Sequence, residues 1–398
     1  MATVASIRSQ SLTTRELLKG IKVIDVDTHI SEPQDLWTSR APAKWKDLLP
    51  RMVGEGEARQ WVIGEGEFLA ARNAVSAIRK DGLKSRGIEF QGWEIPDVME
   101  ASWNTAKRVE MMDEQGIHAQ IAYPNALGFG GQRAMKVEEN LRLEAIRIYN
   151  DAMADIQKES GDRILPMSLL PWWDVDLSVT ELERCAGMGL KGININPNPN
   201  EHGLPSLGEP YWNRLWEACI HHSQPVNFHI GASDSSTSFF NSGTWPERNA
   251  NQKLAFAGVL LFIYNLQVVG NILMSDMLKN YPKLKIVSVE SGAGWVPYLL
   301  EALGYMSGEA GVVYEPSLEE RFRRSISACV FFERENIVDT IRKVGADNIM
   351  FETDFPHPAC LYPNGLEYLA DAIAELTVEE RFKVFSGNAA RIYNIDIG

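Results

Sequence analysis

Cysteine is scarce in this 398-residue chain, and Cys185, Cys219, Cys329 and Cys360 are scattered with no C-x-x-C spacing. That pattern excludes a disulfide framework and a zinc knuckle. It reads as four small buried apolar side chains in a reducing cytoplasm. Basic charge is also short: 39 Lys and Arg stand against 53 Asp and Glu, a net charge of −14. A nucleic-acid partner would need a basic patch, so none is expected. A Gly-x-Gly-x-x-Gly run occurs at Gly187-Met188-Gly189-Leu190-Lys191-Gly192, but it leads from a helix-like segment into a strand-like one and so is not the strand-to-helix dinucleotide fingerprint, and no internal repeat is evident. The first twenty residues are polar and lack the apolar centre of a signal peptide. The most lipid-like stretch, 254–274, contains Tyr264, Asn265, Gln267 and Asn271. It reads as a buried helix, and no membrane partner is expected.

From about residue 105 onward, short apolar runs alternate with helix-like segments. Strands are expected near Lys22–Val26, Ile117–Pro124, Arg163–Pro171, Leu190–Asn196, Pro225–Ile230, Leu284–Glu290, Ser325–Phe332 and Asn348–Asp354. Eight strands separated by helices imply a parallel sheet closed into a (β/α)8 barrel of the TIM type. The expected organisation is an N-terminal tail over residues 1–20 and a barrel over 21–398. Residues 33–103 form an insertion after the first strand, long and rich in Gly and Trp, with Gly54-Glu55-Gly56-Glu57 echoed at Gly64-Glu65-Gly66-Glu67. It reads as a lid or an oligomer contact carrying a small hairpin.

Chemistry-bearing residues collect where these strands end. Asp27 and His29 lie two apart and so share one face of a strand. His229, Glu290 and Asp354 end three more strands, and His357 follows Asp354 by three. Active sites of such barrels lie at the carboxyl ends of the strands. Six ligand-type residues at that end imply a centre for a divalent metal, one or two ions per chain. Mixed imidazole and carboxylate donors suit Zn, Mn or Fe.

The run Val23-Ile24-Asp25-Val26-Asp27-Thr28-His29-Ile30-Ser31-Glu32-Pro33 resembles the opening motif of the amidohydrolase superfamily. The nearest likeness is to its amidohydrolase-2 branch, which includes aminocarboxymuconate-semialdehyde and resorcylate-type decarboxylases. The resemblance continues through Met112–Ile117, Leu169–Trp172, Gly189–Ile193, Val226–His229, Phe351–His357 and Gly387–Tyr393. It implies metal-ligand roles for Asp27, His29, His229 and Asp354. Asp27 stands where the commonest pattern has His, a variant the family contains. Glu290 departs further, because the mononuclear decarboxylases of the family carry His at that strand-six position. A carboxylate there could bridge two metals, with His357 completing the set. That arrangement is similar to a minor branch holding two irons, or iron and manganese, and hydroxylating substrates with O2.

The first expectation is therefore a metal-dependent hydrolase acting on an amide- or ester-like bond of a small organic molecule. Asp354 would take the proton of the attacking water and pass it to the leaving group, and Glu290 would serve a second metal or act as acid or base. Related non-oxidative decarboxylation belongs to the same expectation. Alternatives are a dinuclear Fe or Mn monooxygenase and a non-catalytic, metal-holding subunit. Trp172 and Trp295 read as pocket walls, and Asn194 and Asn196 as substrate hydrogen-bonders or turn caps. The polar, Ser-rich stretch 231–245 reads as a loop over the site. The expected partners are a small-molecule substrate and either a second copy of the chain or a related subunit.

Overall fold

The computed structural model describes residues 13–72, 76–237 and 245–398. The first strand is β1 (Val23–His29), every residue of which is buried. Three short strands follow in the insertion: β2 (Arg51–Val53), β3 (Gln60–Ile63) and β4 (Glu67–Ala71). The rest of the barrel is β5 (Ile117–Tyr123), β6 (Ile164–Pro166), β7 (Ser168–Leu169), β8 (Ile193–Asn194), β9 (Val226–His229), β10 (Ile286–Val289), β11 (Ile326–Val330) and β12 (Ile349–Phe351).

β1, β5 and β6 pair in parallel, and so do β7 through β12. The two strips are joined because β6 and β7 are one run of chain flanking Met167. The Met167 amide donates to Ala122 O, and the Ser168 amide donates to Gly192 O. On the other side, Thr28 bridges Phe355, and the Asp354 amide donates to Asp27 O at 2.9 Å. Each barrel strand therefore has a neighbour on both sides, and the expected (β/α)8 barrel with an insertion after its first strand is the fold. Such strands are buried on both faces, which explains their near-continuous apolar runs.

Ile24, Val26, Ala119, Ile121, Leu165, Met167, Val287, Val289 and Met350 fill the barrel interior. Ala389, Ala390, Ile392 and Tyr393 from the last helix join that cluster and close the end opposite the strand tips. The β1–β5 register slips between Asp25 and Thr28. A bulge of this kind re-aims side chains. Val26 still packs into the interior cluster, while Asp27 and His29 meet the cluster at the strand tips.

The stretch 254–274, expected as a buried helix, lies in the helix Ala250–Met274, but Phe256, Val259, Ile263 and Met274 are exposed, so only its inner side is buried; the short helix Met277–Asn280 follows. Ser275 between them is extended, and Arg321 donates to Leu273 O and Ser275 O, satisfying carbonyls freed by the break. The helix Leu318–Ser325 leads into β11, and the helix Gly365–Ile373 follows the loop after β12.

The inserted residues 33–103 carry a three-stranded antiparallel sheet in the order β2-β3-β4. The β3–β4 turn uses Gly64 and Gly66 at positive φ, a backbone only glycine adopts cheaply. Trp37 and Trp61 meet edge-on and are fully buried, and Trp37 Nε1 donates to Ala145 O on the helix Glu139–Glu159. This half clasps the side of the barrel. The later half reaches the loop after β12: the Ala77 amide donates to Pro356 O, and Lys84 Nζ donates to Cys360 O.

Candidate metal centre

Four strands deliver the six expected donors to one place. β1 supplies Asp27 and His29, β9 ends on His229, Glu290 follows β10, and Asp354 and His357 follow β12. Glu290 and Asp354 are non-glycine residues at φ 51° and 61°. This left-handed backbone is costly for residues with a Cβ, and such strain concentrates at functional sites. Here it turns the chain off the strand just where each carboxylate faces the centre.

The donors converge closely. His29 Nε2 lies 2.9 Å from His229 Nε2, and His229 Nε2 lies 3.3 Å from Asp27 Oδ1 and 3.1 Å from Glu290 Oε2. His29 Nε2 is 3.6 Å from both Asp27 Oδ1 and Asp354 Oδ1, and His357 Nδ1 is 3.1 Å from Asp354 Oδ1. The His29 and His357 rings stack with centroids 3.5 Å apart. Two overlapping groups of donors result, Asp27–His29–His229–Glu290 and His29–Glu290–Asp354–His357, with the ligand atoms of each within 4.8 Å of one another.

One imidazole can be assigned a tautomer. Asn125 Nδ2 donates to Ile30 O, so its Oδ1 is the atom facing His357 Nε2 at 2.7 Å and must accept. His357 therefore carries its proton on Nε2 and turns the lone pair of Nδ1 toward Asp354. A lone pair facing a carboxylate oxygen, in a dry site, is repulsive without a cation between them. Among the described residues, both oxygens of Asp27, both of Asp354 and Oε2 of Glu290 meet no hydrogen-bond donor. Buried polar atoms are normally paired, so oxygens left facing imidazole nitrogens mark a metal site.

The electrostatics agree. Burial is the first cause in every case. It lowers His29 well below the usual imidazole range, lowers His229, and brings His357 down to about 4. It raises Glu290 and Asp354 well above the ordinary carboxyl range, and their carboxylate neighbours push the same way. Neutral imidazoles leave three carboxylates uncompensated, and a bound cation removes that penalty. The residues thus fit a divalent metal ion, and the donor chemistry suits Zn, Mn or Fe.

A supporting shell holds the donors. Glu352 Oε2 accepts from the Glu290 amide at 3.1 Å. Asp25 accepts from the Thr353 amide and hydroxyl at 2.9 and 2.6 Å, and from Gln120 Nε2 at 3.1 Å. Buried Arg108 donates to Gln120 Oε1 and to His29 O. The Phe129 ring stands 4.2 Å from His229 and 5.3 Å from His29.

The expected substrate contacts lie around this centre rather than in it. Trp172 is buried, with Nε1 donating to Gly130 O at 2.7 Å. Trp295 Nε1 donates to Ser291 O and Gly292 O. Asn194 Nδ2 donates to Phe129 O, and Asn196 Oδ1 accepts from the Asn198 amide at 3.0 Å. All four hold loops that border the centre. Asn194 Oδ1 and Asn196 Nδ2 remain unpaired among the described residues. Gly130 is tied to this packing, because a Cβ there would lie 2.5 Å from Asn196 N. Of the expected loop 231–245, residues 238–244 lie outside the described residues, as do residues 1–12 of the expected tail.

Asn125 and Phe129 escaped the sequence reading. Both follow β5, whose end carries no Asp, Glu or His. Applying the strand-tip rule to Asn and aromatic residues would have found them.

A family model described as Amidohydrolase matches residues 24–395. Among curated proteins, a gamma-resorcylate decarboxylase of Polaromonas sp. (strain JS666 / ATCC BAA-500) is 25% identical over 312 residues, covering 73% of this chain and 87% of that protein. Among solved structures, an amidohydrolase of Mycobacterium avium subsp. paratuberculosis K-10 superposes with a TM-score of 0.74 at 21% identity, covering 94% of this chain and 99% of that one. A dihydroxybenzoic acid decarboxylase of Polaromonas sp. JS666, with bound manganese and the inhibitor 2-nitroresorcinol, gives a TM-score of 0.60 at 20% identity, covering 95% and 98%. At these identities the superpositions speak for the fold alone.

Proposed function

The chain belongs to the amidohydrolase family, and from that premise we propose that it is a metal-dependent lyase removing CO2, without oxidation, from a small hydroxylated aromatic acid. The observation that carries this reading is the set of buried carboxylate and imidazole donors left without protein partners at the strand tips. The reaction is supported by the decarboxylases among its relatives, one of which holds manganese. This moves the emphasis from hydrolysis, the first expectation from sequence, to the decarboxylation that accompanied it.

Asp27, His29, His229 and Asp354, with His357 through Nδ1, would hold the ion, which when bound supplies a Lewis acid for the substrate's carboxylate and an adjacent oxygen. Glu290 differs from the other two carboxylates. Its side chain is 11% exposed, whereas those of Asp27 and Asp354 are fully buried. It is the carboxyl group placed to meet a substrate. In the proposed step, protonated Glu290 gives its proton to the ring carbon bearing the carboxylate. The bond from that carbon to CO2 then breaks, its electron pair restores the aromatic ring, and Glu290 regains a proton from water. Phe129 would pack on the ring and help keep water out.

Glu290 also favours a second reading. It belongs to both donor groups, and three carboxylates exceed the charge of one divalent ion. The two donor groups would hold a pair of Fe or Mn ions, which when bound would supply hydroxylation with O2 given an external two-electron donor that takes the second oxygen atom to water. The test is to supply metal-loaded protein with 2,6-dihydroxybenzoate and related hydroxybenzoates, with and without a two-electron reductant, while following CO2 release and O2 uptake. CO2 release without O2 uptake, at one metal per chain, supports the lyase. O2 uptake at two metals per chain replaces it with the oxygenase, and neither gas changing across the acids overturns the lyase reading.

A further inference from the structure

The floor of the barrel, opposite the metal centre, holds a cavity of about 260 Å³. Three cations line it: Lys283 and Lys285, just before β10, and Arg391 in the closing helix Asn388–Tyr393. Elsewhere surface cations find carboxylates, as Arg323 finds Glu319 and Lys383 finds Asp347. Among the described residues none of these three does, although acids outnumber bases by 53 to 39 in the chain.

Neutral oxygens anchor two of them instead. Lys285 Nζ donates to Arg324 O at 2.7 Å, and Arg391 Nη2 donates to Asp347 O and Asn388 Oδ1, each at 3.2 Å. Lys285 is half-buried, and its ammonium is held below the ordinary lysine range, first by burial and then by Arg391 and Arg324. Like charges gathered without a counter-charge repel, and packing alone gives no reason to gather them. One buried acceptor stands among these donors. Gln224 Nε2 donates to Leu190 O at 3.0 Å, which leaves Gln224 Oε1 without a donor among the described residues. Buried polar atoms are normally paired, so this oxygen calls for a donor from outside the chain.

We propose that this cavity binds a small phosphate monoester that also carries a hydroxyl group. Two ammonium groups and a guanidinium offer the charge and the N–H donors that phosphate oxygens take. The hydroxyl would donate to Gln224 Oε1. Ile220, Pro225 and Leu284 give the ligand's carbon atoms an apolar wall. The volume falls short of the roughly 300–1,000 Å³ of sites for drug-sized ligands, which keeps the ligand small. The site is separate from the metal centre, yet it touches the same strands: its residues precede β9 and β10, whose far ends deliver His229 and Glu290.

Isothermal titration calorimetry of the metal-loaded full chain with glycerol 3-phosphate tests this, in about 0.15 M salt, where exposed charges alone are screened. A single site per chain is expected, with a dissociation constant of about 1 mM or below. Sulfate, which has no hydroxyl to give, should bind at least about tenfold more weakly. Lys283→Gln, at an exposed position, and Lys285→Gln should each weaken glycerol 3-phosphate at least about tenfold, with an unchanged circular dichroism spectrum. Asp354→Asn, which empties the metal centre, should bind it as the wild type does. Absence of binding, sulfate binding as tightly, or affinity lost in Asp354→Asn and kept in the lysine variants overturns the proposal.

Discussion

Two sets of buried carboxylates stand within a few residues of each other in this barrel, and they are treated in opposite ways. Asp25 and the part-buried Glu333 take protein donors on both oxygens, and Glu32 takes two on Oε1 while its Oε2 has none among the described residues. Asp25 takes Thr353 and Gln120, Glu32 takes the amides of Asn125 and Ala126, and Glu333 takes those of Ala293 and Gly294. Asp27 and Asp354 have no such donors among the described residues, and Glu290 Oε2 has none either. The first set joins elements: Asp25 ties β1 to the end of β12, and Glu333 ties the β11 loop to the start of the helix Trp295–Glu309. The second set joins nothing. A buried carboxylate satisfied by amides is architecture, and one facing lone pairs is a ligand in need of a cation.

The contrast can be broken by substitution. Asp354→Asn should cut turnover by about 10²–10⁴-fold and release metal, while the metal-free protein melts no lower than the wild type without metal. The mutation removes an uncompensated buried charge, so a large fall in the apo melting temperature would place Asp354 in the architectural set. Asp25→Ala should do the reverse in kind. It strands the Thr353 amide and hydroxyl and Gln120 Nε2 in a dry interior, and about 3–5 kcal/mol of stability should be lost in denaturant titration. A stable Asp25→Ala protein that has lost its metal would erase the distinction.

How much of this was legible in the sequence follows the same divide. Apolar runs ending in Asp27, His29, His229, Glu290 and Asp354 were readable because strand periodicity and strand-tip placement are local rules applied eight times. The bulge between Asp25 and Thr28 was not, because it depends on the pairing register with β5. Nor was the helix break at Ser275, which is settled by Arg321, 46 residues onward. Trp172 and Trp295 looked like pocket walls by residue type, but their indole nitrogens are occupied by backbone carbonyls, a contact that spacing does not encode. Asn125 is silent in the sequence because the end of β5 carries no Asp, Glu or His to draw attention to it, although it fixes the tautomer of His357.

That last residue offers a finer test. Asn125→Ala frees the His357 ring to turn and should weaken metal binding by about 10–100-fold, with the fold intact by circular dichroism. An unchanged dissociation constant would mean that His357 is not held as a ligand. Acidity gives a further test. Burial holds His29 well below the usual imidazole range and His357 at about 4, so at pH 6 these two stay neutral and protons do not compete for their lone pairs; burial lowers His229 as well. Metal should survive dialysis at pH 6, where imidazoles of ordinary basicity would be largely protonated. Loss of metal there would show that the rings are not desolvated. The smallest expected effect is that of Trp172→Phe. It deletes the bond to Gly130 O and should cost about 1 kcal/mol with metal content unchanged.

The most direct measurement is elemental analysis of the chain purified without chelator or added metal, side by side with its Asp27→Asn and Asp354→Asn variants. The account predicts at least one equivalent of Zn, Mn or Fe per wild-type chain and a clear loss in both variants. Wild-type protein without a divalent transition metal even after incubation with Zn, Mn and Fe salts, or variants that keep a full equivalent, would contradict it.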